Sequence, residues 1–152
     1  MGSIVVDSLN SSLDDFKSAL DWLNHSYELC KKIGIKNDYS VEELDVFENL
    51  TSRYARITDF LIHKLFRSID AVEFLEVGTI IDSANRAEKR GFVESIDILH
   101  SLKDLRNEIA HEYTEKELRD LFSDVLKSVP LIIDISNKVF EYCSKYTSSP
   151  SV

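Results

Sequence analysis

A chain of 152 residues, 43% hydrophobic and 30% charged, is the size of one domain with its own core, and it needs neither disulfide nor metal to bury about two-thirds of its unfolded surface. Two prolines and four glycines are too few for the turns of a β-rich fold, and no run reaches the ~18 apolar residues of a membrane span. A net charge of −9 excludes bulk electrostatic attraction to nucleic acid or to an anionic bilayer.

The first ten residues lack the basic-then-apolar layout of a signal peptide. The first helix is predicted from about Leu13 to Ile33. Ser12 is its expected cap, Asp14 and Asp15 suit the first turn, and Phe16, Leu20, Leu23 and Tyr27 share one face. Gly34 is placed to stop it. Ser40-Val41-Glu42-Glu43 reads as a capping box for a second helix that runs to about Leu75. Its stripe is Leu44, Phe47, Leu50, Tyr54, Ile57, Leu61, Leu65 and Ile69. A shorter helix follows from about Ile80 to Lys89, capped by Thr79 with Asp82 and ended by Gly91.

The fourth helix is predicted from about Glu94 to His111, with Ile98, Leu102, Leu105 and Ile109 as its core stripe. Thr114-Glu115-Lys116-Glu117 is a second capping box, so a new helix must start just after Tyr113. That last helix carries Leu118, Leu121, Val125, Val129, Ile132, Ile133 and Val139 to about Tyr146, and Pro130 is expected to kink or split it near Lys127. Trp22 and the phenylalanines at helical spacing are assigned to the core. The expected fold is all-α: one domain, residues 1–146, built as a four- to five-helix up-and-down bundle, then a disordered tail, residues 147–152.

Cys30 and Cys143 lie far apart, with no CxxC and no Cys/His pairing of metal-ligand spacing. They read as two buried, reduced thiols of a cytoplasmic protein. No Gly-rich phosphate loop and no metal cluster stand out, and no cofactor is expected. His25, His63 and His100 read as structural or exposed residues.

Charge is unevenly spread. From Glu94 to Tyr113, Lys103 and Arg106 face five acids: Glu94, Asp97, Asp104, Glu108 and Glu112. From Thr51 to Arg67, Arg53, Arg56, Lys64 and Arg67 face Asp59 alone. Arg86, Lys89 and Arg90 form a further basic cluster. These cations either share a cleft with the fourth helix and hold a phosphate backbone, or form a solvated stripe.

The segment Arg106-Asn107-Glu108-Ile109-Ala110-His111-Glu112-Tyr113 closes the fourth helix. At about 100° per residue, Arg106 and Tyr113 fall on one flank, and His111 falls on the other beside Asp104. One straight helix therefore does not bring Arg106 to His111. Either the helix distorts where it ends, or a second copy across a two-fold axis supplies the missing half.

Arg106, Asn107, His111 and Tyr113, read as Arg-x4-His-x-Tyr late in an all-helical chain, resemble the motif of HEPN domains. Within them, the pattern is similar to the HepT-like toxins paired with minimal nucleotidyltransferase (MNT) antitoxins. The resemblance covers nearly the whole chain. It implies a toxin that acts as a metal-independent endoribonuclease at a homodimer interface, or in an oligomer of dimers. His111 would move the proton of a ribose 2′-OH or of the leaving 5′ oxygen, since an unperturbed histidine titrates at about 6.5. Arg106 would hold the scissile phosphate, and Asn107 would orient the histidine or the phosphate. Tyr113 would be the target of AMP transfer by the antitoxin, and a phosphate there would block the site beside Arg106. Arg53, Arg56, Lys64 and Arg67 would contact RNA. The alternative within the same family is a helical binding partner of a nucleotidyltransferase that has no catalysis of its own.

Overall fold

The computed structural model describes residues 2–111 and 114–147. Every regular element among them is helical: α1 (Gly2–Ile33), α2 (Val41–Phe60), a π-helical turn (Leu61–Leu65), α3 (Phe66–Val72), α4 (Ile80–Lys89), α5 (Ile96–Ile109) and α6 (Glu115–Thr147). The chain is an all-α bundle. Residues 41–72 run on without a break, so the structure has five helical rods.

Local chemistry sets most of the boundaries. The Ser40 hydroxyl accepts from Glu43 N (3.1 Å), and the Glu43 carboxylate accepts from Ser40 N (3.0 Å). Thr79 with Asp82 and Thr114 with Glu117 repeat the pattern. Ser95 caps α5 by accepting from Asp97 N, so the helix starts at Ile96 rather than at about Glu94. Gly34 ends α1 at φ +77°, where its N–H closes on Cys30 O at 2.9 Å. A side chain with a Cβ rarely adopts that conformation.

Two expectations are corrected here. First, α1 begins well upstream of Leu13. Leu9 is fully buried, Val5 and Val6 pack against the core, and Ser12 is a buried residue inside the helix. The apolar stripe continues through the acid pair that resembles a first turn, and tertiary burial outweighs the local cap signal. Second, Pro130 does not split α6, which is continuous to Thr147. Pro130 lies on the exposed side, where water can take the carbonyl its missing N–H leaves open.

Four long rods form the bundle. α1 runs antiparallel to α2: Phe16 meets Phe60 edge-on at 5.5 Å, and the Cys30 thiol approaches Val46 O at 3.6 Å. α5 runs antiparallel to α2, α6 closes the square against α1 and α5, and α4 packs across α3 and α5. Stacked rings fill both ends of the core, Phe47 on Phe122 at 4.4 Å and Phe66 on Phe92 at 5.8 Å. The wide π turn lets adjacent pairs go inside together. Leu61 with Ile62, and Leu65 with Phe66, are all buried. Cys30 and Cys143 are free, buried thiols. Of the predicted tail, residues 147–152, Thr147 is instead the last residue of α6, and residues 148–152 lie outside the described residues.

An ion network ties α3, α4 and α6 together. Asp70 is 4% exposed and Arg90 7%. Arg90 Nη2 lies 2.7 Å from Asp70 Oδ1 and 2.8 Å from Glu73 Oε1, and Arg86 Nη1 lies 3.0 Å from Asp70 Oδ2. From α6, the hydroxyls of Tyr142 and Tyr146 donate to Glu73 Oε2 at 2.5 and 2.8 Å. Arg86 and Arg90 are thus turned onto carboxylates of their own chain. That removes two of the three cations in the predicted second basic cluster and leaves exposed Lys89.

Burial pushes the Glu73 carboxyl up, but the hydrogen bonds from Tyr142, Tyr146 and Arg90 outweigh it and hold the group below the usual carboxylate range. A carboxyl with a lowered folded-state value stabilises the fold above the unfolded value of about 4.3. That contribution is lost as pH falls through the folded value. Urea midpoints should therefore separate wild type from Glu73→Gln at pH 6 and converge at the acid end. A constant gap across the range would exclude this role.

Candidate functional site

α5 presents two faces. Leu99, Leu102 and Leu105 point inward, and the buried Tyr54 hydroxyl of α2 donates to Leu102 O at 3.0 Å. This bond and the leucines fix the rotation of α5 against α2. The flank toward α2 then carries Arg106. Its Nε donates to both Asp59 oxygens (2.9 and 3.1 Å), and its Nη2 donates to Asp59 Oδ2 (3.0 Å). Hydrogen bonding to Asp59 raises the Arg106 pKa above its already high ordinary value, so the guanidinium is always charged. A guanidinium has five N–H donors, and Asp59 engages those on Nε and Nη2. The Nη1 donors point away from the carboxylate.

The helix ends within the motif. Ala110 N closes on Asn107 O (3.3 Å) and His111 N on Glu108 O (3.1 Å), bonds of the tighter three-residue type. Asn107 and His111 are both exposed. Among the described residues no hydrogen bond or ion pair joins Arg106 to His111. Arg106 belongs to the α2-facing flank, and His111 belongs to the solvent-facing end of the rod. Tyr113 and Glu112 lie outside the described residues. The flank of α5 away from Arg106 opens into a cleft against α6 lined by Asp104, Glu108, Asp124 and Lys127. Its excess of carboxylates suits a cation better than a phosphate.

The four basic residues of the second rod do not share one direction. Arg53 faces α1, where its Nη1 donates to Trp22 O (3.0 Å) and Ser26 Oγ (2.7 Å). Lys64 sits over the Phe60 ring at 4.9 Å, and that ring also packs on α1. Arg56 and Arg67 are exposed. Asp59, three residues beyond Arg56, faces α5. Exposed Arg56 therefore lies between the α1-facing flank that holds Arg53 and the α5-facing flank that holds Asp59.

Two more assignments change. Trp22 is 61% exposed, not core, and Phe74 is 85% exposed at a left-handed φ of 60°. The remaining phenylalanines are buried or half-buried. His25, His63 and His100 are all exposed. Sequence reasoning missed Asp59 as the Arg106 partner. The available signal was its position as the single acid within a basic stretch. No helix among the described residues is long and apolar enough to cross a membrane. Comparison of the chain with protein-family models, with curated proteins and with solved structures gave no match in any of the three.

Proposed function

We propose that this chain is an endoribonuclease toxin of the HEPN class, working as a homodimer and silenced by a nucleotidyltransferase antitoxin. The observation that supports it most is the α5 terminus. A permanently charged Arg106, braced by Asp59, is followed within five residues by an exposed Asn107 and an exposed His111. Those three side chains supply what cleavage by an internal 2′-OH requires. His111 moves a proton, Arg106 steadies the phosphorane charge through its Nη1 side, and Asn107 orients either group. The bond from the 2′ oxygen to phosphorus forms as the bond from phosphorus to the 5′ oxygen breaks. The proton passes from the 2′-OH to the leaving oxygen, and a 2′,3′-cyclic phosphate remains. None of these steps calls on a metal.

Arg106 lies on the α2-facing flank of α5 and His111 lies beyond the last residue of that helix, with no bond between them among the described residues, so the composite site is assigned to two copies. Each Arg106–Asp59 pair faces the partner's motif histidine across a two-fold axis. AMP transfer to Tyr113, seven positions after Arg106 in the sequence, would add a phosphate that blocks the site and switches it off.

Two observations favour a second reading, a binding subunit without catalysis. Arg106 is already matched by a carboxylate, and the cleft on the other side of α5 is acidic. Expression of wild type and His111→Ala without any partner separates the two. The ribonuclease reading expects arrested growth and fragmented total RNA with wild type, and normal growth with a folded His111→Ala protein. Harmless expression of folded wild type would leave the binding subunit as the account.

A further inference from the structure

Trp22 sits on the outer face of α1, 61% exposed. Its neighbours one turn away on that surface, Ser18 and His25, are exposed and polar. The next exposed apolar side chain along this face of α1, Leu29, is two turns off, about 10 Å. The ring is therefore isolated, and not part of the contiguous apolar patch that a protein partner would need. Its near neighbour from the second rod is a cation. The Arg53 guanidinium lies 6.0 Å from the ring centre. It is anchored by the Trp22 carbonyl oxygen and by Ser26 Oγ, a side chain only 2% exposed.

The cations leading away from this ring are unmatched. Lys31, Lys36, Arg86, Arg90, Arg106, Arg119 and Lys138 each have a carboxylate partner. Arg53, Arg56, Lys64 and Arg67 have none among the described residues. In a chain of net charge −9, those four are the densest run of unneutralised positive charge on one rod. From Arg53 to Asp59 the helix advances six residues, about 9 Å, and turns from the α1 side to the α5 side. Arg56 lies exposed between them.

We propose that Trp22 and Arg53 form a stacking subsite for one unpaired nucleobase of single-stranded RNA. The inference rests on the ribonuclease reading and adds to it a fixed point on the substrate. The strand would leave the Trp22 ring, cross the exposed back of α2 over Arg56, and reach Arg106 a few nucleotides later. An indole face accepts any base, and a cation beside it strengthens the stack. In an acidic protein, this supplies affinity that bulk charge does not. A duplex hides its base faces, so it has nothing to offer the ring. The subsite thereby selects single strands.

Trp22 is the only tryptophan in the chain, so tryptophan emission, excited selectively over the tyrosines, reports this subsite alone. The experiment uses the His111→Ala protein, which leaves RNA uncut. It is titrated with a labelled single-stranded RNA of about twelve nucleotides and with its duplex. The expected result is tryptophan quenching in step with rising RNA anisotropy for the single strand, and no quenching by the duplex. Trp22→Leu, with folding checked by circular dichroism, should weaken binding about 5- to 100-fold, and Trp22→Phe should recover most of it. Anisotropy that rises while emission stays constant would overturn the subsite and leave the ribonuclease reading intact. Absence of any RNA binding would remove both. A blue shift on concentrating the RNA-free protein would show a second copy covering the ring, and would equally overturn the proposal. The emission test keeps the native ring, so it stands even if Trp22→Leu does not fold.

Discussion

Asp70→Ala is expected to lower the unfolding free energy by about 3 kcal/mol, the lower end of the range for breaking a buried pair. Asp70 accepts a hydrogen bond from Arg86 and is the counter-ion of Arg90. Removing it leaves the Arg90 guanidinium, 7% exposed, with a positive charge matched only by Glu73. Arg90 Nη1 already lacks a hydrogen-bond partner among the described residues, so the site has no spare acceptor to offer. Glu73 keeps the loss from reaching the upper end of that range. In a domain of this size the melting temperature should fall by roughly 6–12 °C. Replacing Asp70 and Arg90 together by leucine should return only part of the loss: the two most buried charges leave together, but Arg86 and Glu73, 25% and 21% exposed, lose their ion partners. A loss under about 1 kcal/mol for Asp70→Ala, the value of an exposed ion pair, would show that water reaches this network.

Arg106→Ala should do the opposite: little to stability and much to activity. Arg106 and Asp59 are 31% and 42% exposed, so their pairing contributes at most about 1 kcal/mol. The melting temperature should therefore move by no more than roughly 4 °C. Loss of a donor aimed at developing charge costs about 10²- to 10³-fold in rate, and loss of a proton-transfer group about 10²- to 10⁴-fold. Single-turnover cleavage of a labelled RNA should thus fall by at least a hundredfold in both Arg106→Ala and His111→Ala, while both remain folded. An Arg106→Ala protein that cuts at the wild-type rate would reduce the Arg106–Asp59 pair to a tie between α2 and α5.

The parts of the fold legible in the sequence are those set by local chemistry. The Ser40 and Thr79 caps, the Gly34 stop and the burial of Leu102 and Leu105 each follow from residues within a turn or two. The features that escaped depend on distant neighbours. Trp22 turns outward beside an arginine 31 positions away, and Arg106 is held by an acid 47 positions away. Arg86 and Arg90 look like surface cations until α3 and α6 bring Asp70, Glu73 and two tyrosines around them. The start of α1 was obscured because Ser12, Asp14 and Asp15 imitate a first turn in mid-helix. In the motif, residue identity and helix phase were readable at once, and helix phase already kept Arg106 and His111 apart. The bond to Asp59 was not readable, because helix phase says nothing about which face of α2 comes alongside.

A ribonuclease site shared between two copies should be restored by mixing two differently damaged chains. Arg106→Ala and His111→Ala chains, each inactive alone, are co-expressed with different tags, and the mixed dimers are purified and assayed on labelled RNA. Half of randomly formed dimers are mixed, and each mixed dimer carries one intact site of two. The unfractionated mixture should therefore recover about a quarter of wild-type cleavage, and the purified mixed dimer about half. A mixed dimer as inactive as its parents, beside a wild type that cuts, would contradict the shared site. RNA left whole by the wild-type dimer itself would contradict the ribonuclease.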